Sequence, residues 1–182
     1  MELFKNSRQK FGNAILKKRA SKTNRKMLYN NFRNVKSIGI VWDASRQEEF
    51  QTIARFHQKM LEKNIDVSVI GYFNNKNLPD QYTALRYLTI LKKTDINFFY
   101  IPQTNESQLF ADKKFDVLIE INSDGIFTLR YITILSNASF KVGILEEGTG
   151  ISPFDLMMEL KKPVNAEEYL KQTVQYLEMI NA

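Results

Sequence analysis

FDVLIEINSDGIFTLRYITILSNASFKVGIL, residues 115–145, is the stretch that decides the fold. It opens on a short apolar run at 115–121 and passes through the polar trio Asn122, Ser123 and Asp124. It then continues as an apolar helical segment at 125–135 and closes on a second run at 140–145. Short apolar runs without strict alternation suit strands covered on both faces, and a helix between two of them suits a parallel crossover. The same rhythm recurs on either side. Residues 37–42 (SIGIVW) and 66–73 (DVSVIGYF) read as the first two strands, joined by a helix whose core stripe is Phe50, Ile53, Ala54, His57 and Leu61. Ser45 and Glu48 have the spacing of a capping box at its start. Residues 79–92 read as a crossover helix with Tyr82, Leu85, Leu88 and Leu91 on one face. A third strand is expected at 97–101 (NFFYI), a short helix at 107–112 and a sixth strand at 155–160. Asn165, with Glu168 three residues on, caps a last helix ending at Met179. The expectation is α/β: an open, three-layer, Rossmann-like domain over 37–182, with a mostly parallel sheet of five or six strands.

Charge separates residues 1–36 from this body. Eleven Lys or Arg and a single acid, Glu2, give the arm +10, whereas 15 Lys/Arg against 19 Asp/Glu leave the remainder at −4. Leu3, Phe4, Phe11, Ala14 and Ile15 fall at roughly helical spacing, and Met27, Leu28 and Phe32 restore apolar character further on. Between them, 17–26 (KKRASKTNRK) concentrates six cations: Lys17, Lys18, Arg19, Lys22, Arg25 and Lys26. The arm reads as one or two amphipathic helices.

Composition excludes several chemistries. There is no cysteine, so disulfides, thiolate catalysis and cysteine-ligated metals are ruled out, and a single histidine rules out multi-histidine metal sites within one chain. No apolar run approaches the ~18–20 residues that span a bilayer, and the basic N-terminus lacks the apolar core of a secretory signal. A cytoplasmic protein is expected. Neither GxGxxG, GxxxxGK[ST] nor GxSxG occurs.

The 115–145 block is similar to one in the N-terminal half of heptosyltransferase-like glycosyltransferases. There a YDLVIDL-type strand precedes an apolar helix, a small-residue turn and a strand ending in RIG. Phe115 to Ile121 match the strand, Leu129 to Leu135 the helix, and Phe140 to Gly143 the second strand. In those enzymes the first strand leads into a Gly-Asp pair whose Asp is the base; IGIVWDAS offers Asp43 without that glycine. Their second nucleotide-binding half has no room in 182 residues. The chain also resembles an uncharacterised family of small bacterial α/β proteins, a likeness that implies a fold and no activity.

In an open α/β sheet, ligands gather beyond the carboxyl ends of the strands. The polar residues expected there are Asp43, Ser45, Asn74, Asn75, Gln103, Asn122, Asp124, Glu146 and Glu147. Asp43, Ser45, Asn122 and Asp124 form the candidate pocket. Asp43 and Asp124 have the types needed for an acid and a base or for a hard metal, but the favoured reading is that Asp43 and Ser45 shape one helix entry while Ser123 and Asp124 cap the next. The EEGTG loop at 146–150 reads as a connection, since adjacent glutamates repel phosphate. His57 reads as a core or boundary residue, and Phe98, Phe99 and Tyr100 as buried strand residues. No metal site is expected and no cofactor is indicated.

The arm supports three readings: contact with a polyanion such as RNA, attachment to an anionic membrane surface, or a solvated helix packed on the body. The favoured reading is a non-enzymatic binding module with Lys17, Lys18, Arg19, Lys22, Arg25 and Lys26 as its polyanion contacts. The alternative is a small transferase-like or nucleotide-binding enzyme domain with its site at the strand ends. The oligomeric state is open.

Overall fold

The run SIGIVWD forms β1 (Ser37–Asp43), whose near-complete burial follows from its place at the centre of the sheet. A computed structural model describes residues 4–23, 25–29, 31–83, 85–145 and 152–180; Leu3 and the 146–150 loop lie outside them. The remaining strands are β2 (Asp66–Phe73), β3 (Leu88–Lys92), β4 (Val117–Ile121), β5 (Phe140–Ile144) and β6 (Leu156–Met158). They pair in the order β3-β2-β1-β4-β5-β6, every pair parallel, as in doubly wound sheets.

Both faces are covered. Ile38, Ile40 and Trp42 pack with Phe50, Ile53, Phe56 and Met60 of α2 (Phe50–Glu62) and with Tyr169, Leu170 and Leu177 of α5 (Ala166–Met179). On the opposite face Val41, Ile70 and Leu118 meet Phe110 of α3 (Asn105–Asp112) and Leu129 and Ile132 of α4 (Phe127–Leu135). The stripe on α2 is thus Phe50, Ile53, Phe56 and Met60, with Leu61 exposed. His57 stacks on Tyr87, ring centroids 3.8 Å apart, and burial lowers its pKa.

Two segments exchange roles relative to the sequence reading. The described residues of 79–92 form a short 3-10 helix, Asp80–Tyr82, and then β3. Leu88 and Leu91 have helical spacing, yet on β3 they face opposite sides of the sheet. The β-branched run LTIL suits that pleated surface. In turn, 97–101 is a tight loop. The Asn97 side chain accepts the Phe99 and Ile101 backbone N–H groups at 2.9 and 3.1 Å, while Tyr100 takes a left-handed φ of 62°. An Asn able to satisfy its own downstream amides competes with strand pairing, so Phe98 ends at 62% exposed.

Helix entries also depart from the sequence reading. The Ser45 capping box does not form: a 3-10 turn, Gln47–Glu49, leads into α2, and the Ser45 hydroxyl accepts Asn74 N–H at 3.3 Å. Neither Ser123 nor Asp124 caps α4. Asn165, in contrast, accepts Glu168 N–H at 3.0 Å and starts α5 as its position suggests.

Among the described residues, the basic N-terminal segment contributes one α-helix, α1 (Lys5–Ala20), packed against α4, and a short 3-10 turn at Phe32–Asn34. Leu16 joins Ile101, Phe127 and Tyr131 in a separate apolar cluster, while Phe4 and Phe11 stay exposed. Gly12 permits this approach: a Cβ there would stand 2.7 Å from the Phe99 carbonyl oxygen and 3.0 Å from the Phe127 ring. Gly12→Leu is therefore expected to lift α1 and cost about 1–3 kcal/mol, the usual range for overpacking. Urea denaturation and limited proteolysis after residue 20 would register it, with exposed Asn13→Leu as the control.

Candidate functional site

The sheet places its switch point between β1 and β4, and three of the four candidate pocket residues meet in a network there. Asp43 ends β1 and is buried; its carboxylate accepts Ser45 N–H at 3.0 Å. Arg46 fills the space beyond it. Its guanidinium lies 3.8 Å from Asp43, 3.7 Å from Glu49 and 3.0 Å from Asp124. Glu49 also accepts the Trp42 indole N–H at 3.0 Å. Burial raises the pKa values of Asp43 and Glu49, with Arg46 pulling both the other way. One cation thus holds three carboxylates together where an open crevice was expected. An incoming phosphate would meet acids already competing for that guanidinium.

Asn122 does different work. Its amide oxygen accepts Ile126 N–H at 2.8 Å and its amide nitrogen donates to Ile126 O at 3.1 Å, closing the turn between β4 and α4. The same nitrogen donates to Glu120 at 2.9 Å. Gln103 lies at the entry to α3 and ends no strand, because the 97–101 strand does not form. Among the described residues, no group of three His, Cys, Asp or Glu could hold a metal ion.

Glu120 and Lys141 were missed by motif reasoning. Both side chains point to the α4 face, alternating with core residues on β4 and β5, and are 1% and 3% exposed. Glu120 Oε1 accepts from Arg130 Nε at 2.9 Å, whereas Oε2 has no hydrogen-bond partner among the described residues. Lys141 Nζ donates to Ile134 O at 3.1 Å. Burial, helped by nearby Arg25, lowers its pKa to about 7, against the pull of Asp155 and Glu120. The available signal was simple: a charge inside FDVLIEI or FKVGI, in strands covered on both faces, demands a partner.

The six arm cations divide. Arg19 donates to the Tyr131 hydroxyl. Arg25 makes a bidentate pair with Asp155 at 2.7 and 2.8 Å and also donates to Ser139 O at 3.2 Å. Lys17, Lys18, Lys22 and Lys26 are exposed, and among the described residues none forms an ion pair. Lys17 and Lys18 lie in the last turn of α1, where cations also favour the carbonyl end of the helix.

Together these features define a doubly wound α/β domain with ion pairs at its switch point and a basic helix docked beside α4. The chain belongs to the family of unknown function DUF6913, which matches residues 5–180. No curated protein matches it.

Proposed function

We propose that the protein is a non-enzymatic binding module that holds a polyanion, RNA in the first place, on its N-terminal lysines. The observation that carries this reading is the division of labour within 17–26. Two arginines pin the segment to the body through Tyr131 and Asp155, and four lysines stand in solvent without acidic partners among the described residues. A fixed set of unpaired cations releases counterions when phosphates replace them, which favours association without base readout. The carboxylates gathered around Arg46 at the switch point support binding elsewhere on the molecule.

Fluorescence anisotropy with a labelled RNA tests this. Micromolar or tighter binding is expected. Four phosphate contacts give a log–log salt slope of about −3 for a single strand and about −3.6 on a duplex scale. The combined K17Q, K18Q, K22Q and K26Q variant should bind at least tenfold more weakly, with its salt slope reduced by about 3, the share of those four contacts. Unchanged binding by that variant would remove the lysines from the interface.

A further inference from the structure

A cleft lies at the other end of α1. It encloses about 530 Å³ between the start of the helix, the end of β2 and the loop after β3, within the size range of small-ligand sites. Lys5, Arg8 and Lys93 line it, Asn74 and Tyr72 supply polar atoms, and among the described residues no carboxylate lines it. Arg8 is held rigidly. Its Nε donates to Phe98 O at 2.6 Å, and its guanidinium carbon lies 4.2 Å from the Phe98 ring centroid and 4.3 Å from that of Tyr100. Burial raises the Tyr72 pKa to about 12, so its hydroxyl stays neutral, donating to the Asn74 amide oxygen at 3.2 Å.

At the rim, Phe98 is 62% exposed although one side of it carries Arg8, and Phe11 is 64% exposed. Both rings contact Phe99, with centroids 5.5 and 6.0 Å away respectively. The left-handed Tyr100 and the Asn97 side-chain bonds fix the loop that turns Phe98 outward. Cations beside exposed, immobilised aromatic rings match the two halves of a nucleotide: phosphate on Lys5, Arg8 and Lys93, and a base stacked on Phe98.

We propose that this cleft is a nucleotide subsite and that it makes single-stranded nucleic acid the preferred polyanion. The inference rests on the polyanion reading given above. Duplex bases are already stacked and cannot reach Phe98, so the cleft discriminates by strand state and not by sequence. The lysines of the last turn lie up to about 24 Å away along 16 helical residues at 1.5 Å each, within reach of one continuous strand. A lipid surface fits less well, because among the described residues α1 and the Phe4 before it present two exposed large apolar side chains, Phe4 and Phe11.

The test measures a labelled uridine dodecamer, a duplex of equal length and vesicles containing phosphatidylserine against wild type, Phe98→Ala, Lys93→Gln and the lysine-neutralised variant. Phe98 is exposed, so its truncation leaves the fold intact. Wild type should prefer the single strand. Phe98→Ala should weaken single-strand binding about tenfold, within the range for loss of one stacked base, and leave the duplex unaffected. Lys93→Gln should weaken the single strand and flatten its salt slope by about one contact. Equal single-strand affinity of wild type and Phe98→Ala would overturn the subsite while leaving the polyanion reading standing. The lysine-neutralised variant separates the reverse case: if it binds RNA as wild type does but remains sensitive to Phe98→Ala, the cleft survives and the lysine reading falls. Vesicle binding that depends on Phe98, without RNA binding, would overturn both.

Discussion

Lys141→Met should abolish a rise in stability of about 3 kcal/mol that the wild-type protein shows between pH 7 and pH 9.5. Lys141 is 3% exposed, and its pKa falls from 10.5 in the unfolded chain to about 7 in the folded one. Across that interval the unfolded chain binds more protons at this site than the folded protein, so raising the pH favours folding. Below pH 7 both states are protonated and the full cost of burying the ammonium is present. Met fills the space of the alkyl chain without the charge, at the loss of one hydrogen bond to Ile134 O. Urea denaturation at half-unit pH steps, followed by circular dichroism, separates the profiles. Parallel curves for the two proteins across this interval would mean that Lys141 folds as an ordinary ammonium.

Arg130→Met should cost about 3–5 kcal/mol, the penalty for leaving a buried charge without its partner. Glu120 is 1% exposed, and Arg130 Nε at 2.9 Å is its cationic contact. The Asn122 amide at 2.9 Å would remain, and one neutral donor does not replace a guanidinium. The double variant Glu120→Met, Arg130→Met should recover most of the loss, because replacing both members of a buried pair with apolar groups is often neutral or stabilising. Thermal and chemical denaturation of the two single variants and the double variant give the coupling directly. Additive losses would show that the ion pair is energetically idle. Arg130 also lies over the Phe154 ring at 4.9 Å, so its removal loosens the chain entering β6 as well.

Much of the architecture was legible because it depends on runs of apolar residues. SIGIVW, DVSVIGYF, FDVLIEI and FKVGIL each mark a strand, the first falling one residue short of the end of β1, and together they specify a sheet buried on both faces. The errors fall where two periodicities coincide or a side chain intervenes. Leu88 and Leu91 satisfy helical spacing while occupying opposite faces of β3, and NFFYI is as apolar as a strand but begins with an Asn that folds the backbone onto itself. Ser45 and Glu48 matched a capping pattern, yet Ser45 is used by Asn74, across the sheet, a partner no local pattern contains.

Candidate-site residues were partly legible for the same reason. Burial of Asp43 and Asn122 follows from their places at the ends of central strands. That Arg46 would tie Asp43 to Asp124, 78 residues from Arg46 itself, depends on β1 and β4 being neighbours. Likewise, the six arm cations count alike as charges; the sequence separates two arginines from four lysines, but the anchoring role of those arginines depends on the positions of Tyr131 and Asp155.

The Arg25–Asp155 clamp has a consequence for the order in which the chain assembles. Its members are 130 residues apart, Arg19 and Tyr131 are 112 apart, and Tyr29 reaches Leu177 O across 148. Contacts that distant form only after most of the polypeptide exists. During vectorial synthesis, Arg19, Arg25 and Tyr29 are therefore made well before the residues that anchor them. The cationic stretch 17–26 thus waits on residues made much later, and completion of β6 and α5 turns it into a fixed part of the surface.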